Sequence, residues 1–231
     1  MQGILYIDKP IGWTSFDVVN YIRRKVADIE GKKPKNVKVG HAGTLDPFAT
    51  GLLIVLVGKN YTKQAATYSK QDKVYEVSVR LGKVSSTGDP EGELQLVSEA
   101  VPSEQELQKA CRSLTGTILQ VPPAFSAIKV NGKRAYKLAR EGKTVILEPR
   151  EVTVHRLDVR NYDYPSAQLV AGVSSGTYIR SLVESIGDLL KVGAYTSELR
   201  RTSIGEHTIA MATSVEAINE ASLQNLLQPT N

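Results

Sequence analysis

The chain has 231 residues, 41% hydrophobic and 23% charged, with a net charge of +5. A chain of this length buries roughly 70% of its unfolded surface and needs no covalent staples, and its single cysteine, Cys111, excludes an internal disulfide and fits a reducing compartment. No apolar run approaches the ~20 residues of a membrane span, and Met1-Gln2-Gly3-Ile4-Leu5 lacks the basic start and long apolar core of a signal peptide, so a cytoplasmic protein is expected.

In chain order, Ile4-Leu5-Tyr6-Ile7 reads as a short strand. Thr14 or Ser15 caps a helix over about residues 16–27, with Val18, Val19, Ile22 and Val26 on one face. The stretch from Glu30 to Lys38 is a polar, basic loop. Then comes Gly40-His41-Ala42-Gly43-Thr44-Leu45-Asp46-Pro47-Phe48-Ala49-Thr50-Gly51, one carboxylate inside a dense set of turn residues. Its glycines permit backbone conformations that other residues resist, and Pro47 keeps Asp46 out of the helical region. The run Leu52 to Val57 reads as a buried strand, so Asp46 sits on a rigid loop next to the core. Such loops carry catalytic groups; they also use Asp before Pro simply to close an Asx-turn. Residues of this loop alone favour neither reading.

Beyond the loop, Val77, Val79 and Leu81 alternate with Ser78 and Arg80 as in a half-buried strand. Tyr75 shares the phase of the apolar face, and on that pattern alone it is a core tyrosine. Ser103-Glu104-Gln105-Glu106 is a capping box opening a helix to about Leu114. Asn131-Gly132 signals a hairpin turn after Ala127-Ile128-Lys129-Val130. Alternating segments recur at residues 152–154 and 168–173. A helix from about Tyr178 to Leu190 carries Ile179, Leu182, Ile186 and Leu189 on one face and Arg180 in its first turn. Strands without regular helix interleaving predict an α+β fold with a mixed, largely antiparallel central sheet and flanking helices. No repeat, low-complexity tract or linker interrupts residues 1–231, which read as a single domain.

Charge is unevenly distributed. Residues 1–75 hold 12 Lys/Arg against 6 Asp/Glu, and residues 123–150 hold 7 against 2, whereas residues 76–122 hold 4 against 7 and residues 151–231 hold 6 against 9. Two basic segments flanking an acidic one are the footprint of a polyanion partner, or else a solvated face. The three histidines, His41, His155 and His207, show no metal-ligand spacing, and no phosphate-binding Gly-rich fingerprint is present.

The loop around Asp46 resembles the active-site motif of the pseudouridine synthases, in the branch that modifies uridine 55 of the tRNA T loop, the TruB family. Lys9-Pro10-Ile11-Gly12-Trp13-Thr14-Ser15 resembles that family's opening motif. Lys73-Val74-Tyr75-Glu76-Val77 resembles its strand with the active-site tyrosine, and Phe125-Ser126-Ala127-Ile128-Lys129, followed by Gly132-Lys133-Arg134-Ala135-Tyr136, a third block. Gly176-Thr177-Tyr178-Ile179-Arg180-Ser181 resembles the block with the active-site arginine, and Leu199-Arg200-Arg201-Thr202 a further one. The blocks keep the family's order and span most of the chain.

The resemblance implies the pseudouridine synthase fold, with an active-site cleft across the sheet, and an isomerase that needs no cofactor or metal. It implies Asp46 as covalent nucleophile, Tyr75 as the ring stacked on uracil and a participant in proton transfer, and Arg180 as the cation that keeps the carboxylate ionised. By family position, His41 touches displaced nucleotides while Tyr178 and Leu199 line the base pocket. Lys63 and Lys129 are phosphate contacts or solvated lysines. The expected partner is the tRNA T arm, whose target base must be flipped out; a monomer needing no protein partner and no separate C-terminal RNA-binding domain is expected. The alternative function is a tRNA-binding and folding chaperone without chemistry.

Overall fold

The computed structural model describes residues 1–130 and 132–229. In chain order its strands are β1 (Gly3–Lys9), β2 (Val39–Ala42), β3 (Thr50–Val57), β4 (Lys73–Leu81), β5 (Lys83–Ser85), β6 (Leu94–Leu96), β7 (Gly116–Gln120), β8 (Lys129–Val130), β9 (Lys133–Arg134), β10 (Arg150–Asp163), β11 (Ser166–Val173), β12 (Ala194–Ile204), β13 (His207–Thr208) and β14 (Thr213–Ser214). The helices are α1 (Ser15–Ile29), α2 (Lys59–Thr62), α3 (Ala65–Ser69), α4 (Glu104–Ser113), α5 (Ala135–Arg140), α6 (Ile179–Leu190) and α7 (Glu220–Leu226), with 3-10 turns at Pro34–Asn36 and Ile209–Met211. The chain falls into two compact units, Met1–Tyr75 with Arg200–Asn231, and Glu76–Leu199. Among the described residues, no helix is long and apolar enough to cross a membrane. The elements form the expected mixed α+β architecture.

In the first unit, Leu52 to Val57 is apolar at every position because β3 is covered on both faces. Leu53, Val55 and Val57 pack with Leu5, Ile7 and the α1 residues Val18, Val19, Ile22 and Val26; Leu52, Ile54 and Leu56 pack with Ile4 and Tyr6 on the other side. β1 and β2 pair antiparallel with β3, β12 joins β3 in parallel at Arg200 and Arg201, and β14 runs parallel to β1. Helix α1 begins at Ser15, with Thr14 as its cap: Thr14 Oγ1 accepts from the Asp17 amide at 3.0 Å, and Asp17 Oδ2 accepts from the Thr14 amide at 2.9 Å. Two otherwise orphaned donors are thus satisfied reciprocally.

In the second unit, β10 lies antiparallel between β11 and β7, and α4 packs on β10 and α6. The Ser103–Glu106 capping box is present, and α4 buries Leu107, Ala110 and Cys111. Burial pushes the Cys111 thiol up to about 11, so it stays protonated and inert at neutral pH. Helix α6 buries Ile179, Leu182, Val183 and Ile186, but Leu189 is 51% exposed, against expectation. The buried positions include Val183 and Gly187 to one side of Ile186, so at 100° per residue the stripe is centred on that side, and Leu189, about 60° from Ile186 on the other side, falls off its edge. The hairpin expected at Asn131-Gly132 is represented by the β8–β9 pair, with Val130 opposite Lys133; Asn131 itself lies outside the described residues.

The first unit has two tight points. Gly51 has φ +102°, and a Cβ there would sit 2.3 Å from the Arg201 carbonyl oxygen and 2.7 Å from its amide nitrogen. Lys73, 7% exposed, donates to the carbonyls of Ser69 and Gln71 at 2.9 and 2.5 Å. Burial, and then the charge of Arg201, push the Lys73 ammonium down to about 8, with Asp72 partly opposing.

Gly51→Ala combines a forced left-handed backbone with a main-chain collision, and urea unfolding should show a loss of about 3 kcal/mol or more. A loss below about 1 kcal/mol would mean that β3 and β12 can separate at no cost. For Lys73, the folded state binds its proton less tightly than the unfolded chain, so stability rises with pH between about 8 and the ordinary lysine value of 10.5. Wild-type protein should therefore gain about 2 kcal/mol more than Lys73→Met between about pH 7.5 and 9.5. Parallel pH profiles for the two proteins would show that Lys73 titrates normally.

Candidate active site

Asp46 lies in the connection between β2 and β3, partly exposed, and its carbonyl accepts from the Ala49 amide at 3.1 Å. The connection is tied down by groups distant in sequence. Lys9, fully buried, donates to the carbonyls of Trp13, Pro10 and Pro47 at 2.6, 2.9 and 3.3 Å. The Gly12 amide donates to Pro47 O at 2.8 Å. Ser15 Oγ accepts from the Leu45 amide at 2.8 Å and donates to Leu45 O at 3.1 Å. Arg201, 1% exposed, spreads its guanidinium over three carbonyls: Leu52 at 2.8 Å, Gly43 at 2.9 Å and Thr44 at 3.4 Å. Both neighbours of Asp46 are therefore held, and hydrogen bonds from charged donors are the stronger kind, ~1.5–3 kcal/mol each.

Three further residues singled out from the sequence belong to the first unit. His41 is on β2 opposite Val55. Its Nδ1 is buried and finds no hydrogen-bond partner among the described residues. Burial first, and the Arg201 charge second, lower the His41 pKa below its usual 6.5, so the ring is neutral at pH 7. Tyr75 is on β4 and 7% exposed, in phase with Val77, Val79 and Leu81 as expected. Lys63 is exposed at the end of α2.

In the second unit, Arg180 occupies the first turn of α6 and is 4% exposed. A cation is unfavourable at a helix N-terminus unless compensated. The compensation is Asp89, whose Oδ2 lies 3.1 Å from Arg180 Nη1, both side chains being 4% exposed. Arg180 also donates to Thr87 O at 2.9 Å and Phe125 O at 2.8 Å. Asp89 in turn accepts through Oδ1 from Thr87 Oγ1 at 2.5 Å and from the Glu91 amide at 3.0 Å. One turn along α6, Glu184 has its pKa raised by burial, with Arg180 partly opposing. Tyr178 caps α6, and the Gln120 side chain brackets its backbone, accepting from its amide at 2.8 Å and donating to its carbonyl at 3.0 Å. Leu199 is 7% exposed on β12, and Lys129 is exposed on β8.

Sequence reasoning missed Asp89, and it gave Lys9 and Arg201 no role beyond membership of their motifs. Asp89 carries a readable signal: Thr87-Gly88-Asp89-Pro90-Glu91-Gly92 repeats the Asp-Pro pairing inside turn residues seen at Asp46. Nothing local marks Arg201 as buried. Among the described residues, no three His, Cys, Asp or Glu side chains cluster as metal ligands would.

Residues 30–179 match the profile described as TruB family pseudouridylate synthase (N terminal domain). The chain is 45% identical over 229 residues to the tRNA pseudouridine synthase B of Thermobifida fusca, covering 94% of this chain and 74% of that protein. It is 42% identical to the protein of the same name from Parabacteroides distasonis, over 97% of this chain and 95% of that protein. Among solved structures, a Cbf5-Nop10-Gar1 complex aligns with a TM-score of 0.70 at 27% identity, covering 98% of this chain and 60% of the solved one. An H/ACA RNP bound to a substrate RNA containing 2′-deoxyuridine aligns at 0.65 and 26%, covering 93% of this chain and 51% of the solved one. The family profile spans the segments that carry Asp46 and Tyr75, the relatives match over nearly the whole chain, and the chain belongs to the TruB family of pseudouridylate synthases, isomerases that turn uridine into pseudouridine.

Proposed function

We propose that this chain isomerises uridine to pseudouridine in tRNA, at position 55 of the T loop, with Asp46 as the covalent nucleophile. The observation that carries the reading is the Asp46 loop itself, clamped by Lys9, Ser15 and Arg201. An Asx-turn alone has no need of two buried cations. A nucleophile does need a fixed approach, since a misplacement of ~1 Å costs orders of magnitude in rate. The names of the relatives support tRNA as the substrate.

The isomerisation breaks the bond from uracil nitrogen to the ribose, turns the base and rejoins it through carbon, with no change in atoms or oxidation state. In this scheme the Asp46 carboxylate supplies the attacking oxygen. Tyr75, almost buried and rigid on β4, stacks on the uracil and its phenol takes part in proton transfer. Arg180 brings a cation fixed in advance by Asp89 and two carbonyls, so its charge costs no reorganisation when the substrate arrives. His41 offers a neutral imidazole to the displaced nucleotides. Tyr178 and Leu199 line the base pocket, and Lys63 and Lys129 meet phosphates.

Asp46→Asn keeps the size and removes the attacking charge. Chemical detection of pseudouridine in tRNA should find none formed by this variant, while its affinity for the T-arm stem-loop stays within about threefold of wild type. Turnover by Asp46→Asn would remove the residue from its role, and loss of binding together with activity would make the loop structural. Wild-type protein that refolds tRNA without forming pseudouridine would be a chaperone.

A second prediction separates the charge of Arg180 from its structural pairing. Arg180→Met strands Asp89 as a buried carboxylate, and urea unfolding should show a loss of about 3–5 kcal/mol with activity abolished. Adding Asp89→Asn should restore most of that stability and none of the activity. Activity returning with stability in the double variant would show that Arg180 only holds the fold.

A further inference from the structure

The sixteen residues from Arg23 to Lys38 hold seven Lys/Arg and two Asp/Glu, a balance of +5 that equals the net charge of the whole chain. The fold gathers part of this charge around a cavity of about 560 Å³ where α1, the Pro34–Asn36 turn and the start of β2 meet. Arg23, Arg24, Lys35 and Lys38 line it, with Val37 and Val39 as a buried apolar floor and no acidic side chain in the lining. Arg23 is held in place: it donates to Asn20 Oδ1 at 2.5 Å and to Val39 O at 3.2 Å, and its guanidinium lies 5.7 Å from the centroid of the Phe16 ring, a side chain 58% exposed. Glu30, the acid closest in sequence to the turn, is taken up by the N-terminal ammonium and Lys32. Among the described residues, no ion pair neutralises the four cations of the cavity.

Four like charges around one concavity repel one another, and a merely solvated face gains nothing from a cavity or from an arginine fixed by two hydrogen bonds. A phosphate oxygen is the complement of this lining: guanidinium binds it through paired hydrogen bonds, and flanking lysines add point charges. The position favours a polymer. β2 starts at the cavity floor and leads to the Asp46 loop, and its four residues span roughly 13 Å at about 3.3 Å per residue. A nucleic-acid strand seated on that loop brings its own phosphates within reach, and the exposed Phe16 ring is the kind of aromatic surface on which unpaired bases stack.

We propose that the α1–β2 corner is a phosphate-binding site for the backbone of the RNA substrate, holding the strand beside the Asp46 loop. This rests on the reading of the chain as an enzyme acting on RNA. The site acts through affinity and register, not through the reacting atoms.

The test is the pair Arg24→Glu and Lys35→Glu in the full chain, both exposed and outside the proposed catalytic set. T-arm stem-loop binding is measured across about 50–300 mM salt, together with pseudouridine formation. Every phosphate that the corner no longer neutralises takes roughly 0.7–0.9 off the slope of log affinity against log salt. The variant should show a slope shallower by about one to two units and a KM raised about tenfold or more, with kcat at saturating RNA within about twofold. An unchanged slope would make the corner a solvated basic face and overturn the proposal. Displacement of RNA from wild type by millimolar inorganic phosphate, with the variant insensitive, would reassign it to free phosphate and overturn it equally. If the glutamate pair does not fold, Arg24→Gln with Lys35→Gln reads the same slope at about half the charge change. Wild type that binds with the steep slope but forms no pseudouridine would leave the phosphate site standing and remove the catalytic reading.

Discussion

The structure of the first unit depends on one buried guanidinium. Arg201 reaches back about 150 residues along the chain to the carbonyls of Gly43, Thr44 and Leu52, and its own backbone lies against Gly51 so closely that a methyl group would not fit. Burying a charge costs several kcal/mol unless it is fully hydrogen-bonded. Here three carbonyl dipoles solvate it from inside. Because those carbonyls flank Asp46, the compensation of one buried charge also fixes the loop. Lys9 repeats the device from the other side, using Trp13, Pro10 and Pro47.

The second unit solves the same problem with a different partner. Arg180 stands where the α6 dipole opposes it, and a carboxylate, Asp89, answers it together with two carbonyls. The pair is enclosed, so neither charge can be removed alone without leaving the other buried and without its counter-charge. Lys9 and Arg201 instead draw on main-chain carbonyls, which every residue carries. A side-chain partner can be altered by substitution, whereas a carbonyl cannot, so the burden of satisfying the loop backbone falls on the two cations themselves.

Burial, with buried positive charge as the second cause, also sets the titration behaviour of two groups near Arg201. His41 and Lys73 are both shifted down by burial first and by Arg201 second. The region around the Asp46 loop is thus one in which further protonation is resisted, while four cations without an ion pair among the described residues line the α1–β2 corner. Buried cations organise the backbone, and those at the corner are the proposed phosphate contacts.

Much of the fold was legible in the residues. The β3 run, the Thr14 and Ser103 caps, the alternation of β4 and most of the α6 stripe follow from side-chain periodicity and local hydrogen bonds, which act within a few residues. Leu189 escaped because a helical stripe drifts over three turns and only the packing partner decides where it ends. The placement of Asp46 on a turn-rich loop before a core strand was likewise a local matter. Which group compensates which charge was not. Arg180 meets an aspartate 91 residues earlier and Arg201 meets carbonyls 149–158 residues earlier, and no periodicity encodes such pairings. The sequence by itself determined the main strands and helices and the turn-rich setting of Asp46, because propensity, capping and turn chemistry are short-ranged, while the choice of Asp46 as candidate nucleophile came from the family resemblance of its motif; the tertiary structure alone decided how the buried cations are satisfied, because that depends on which distant backbone segments the sheet brings past them.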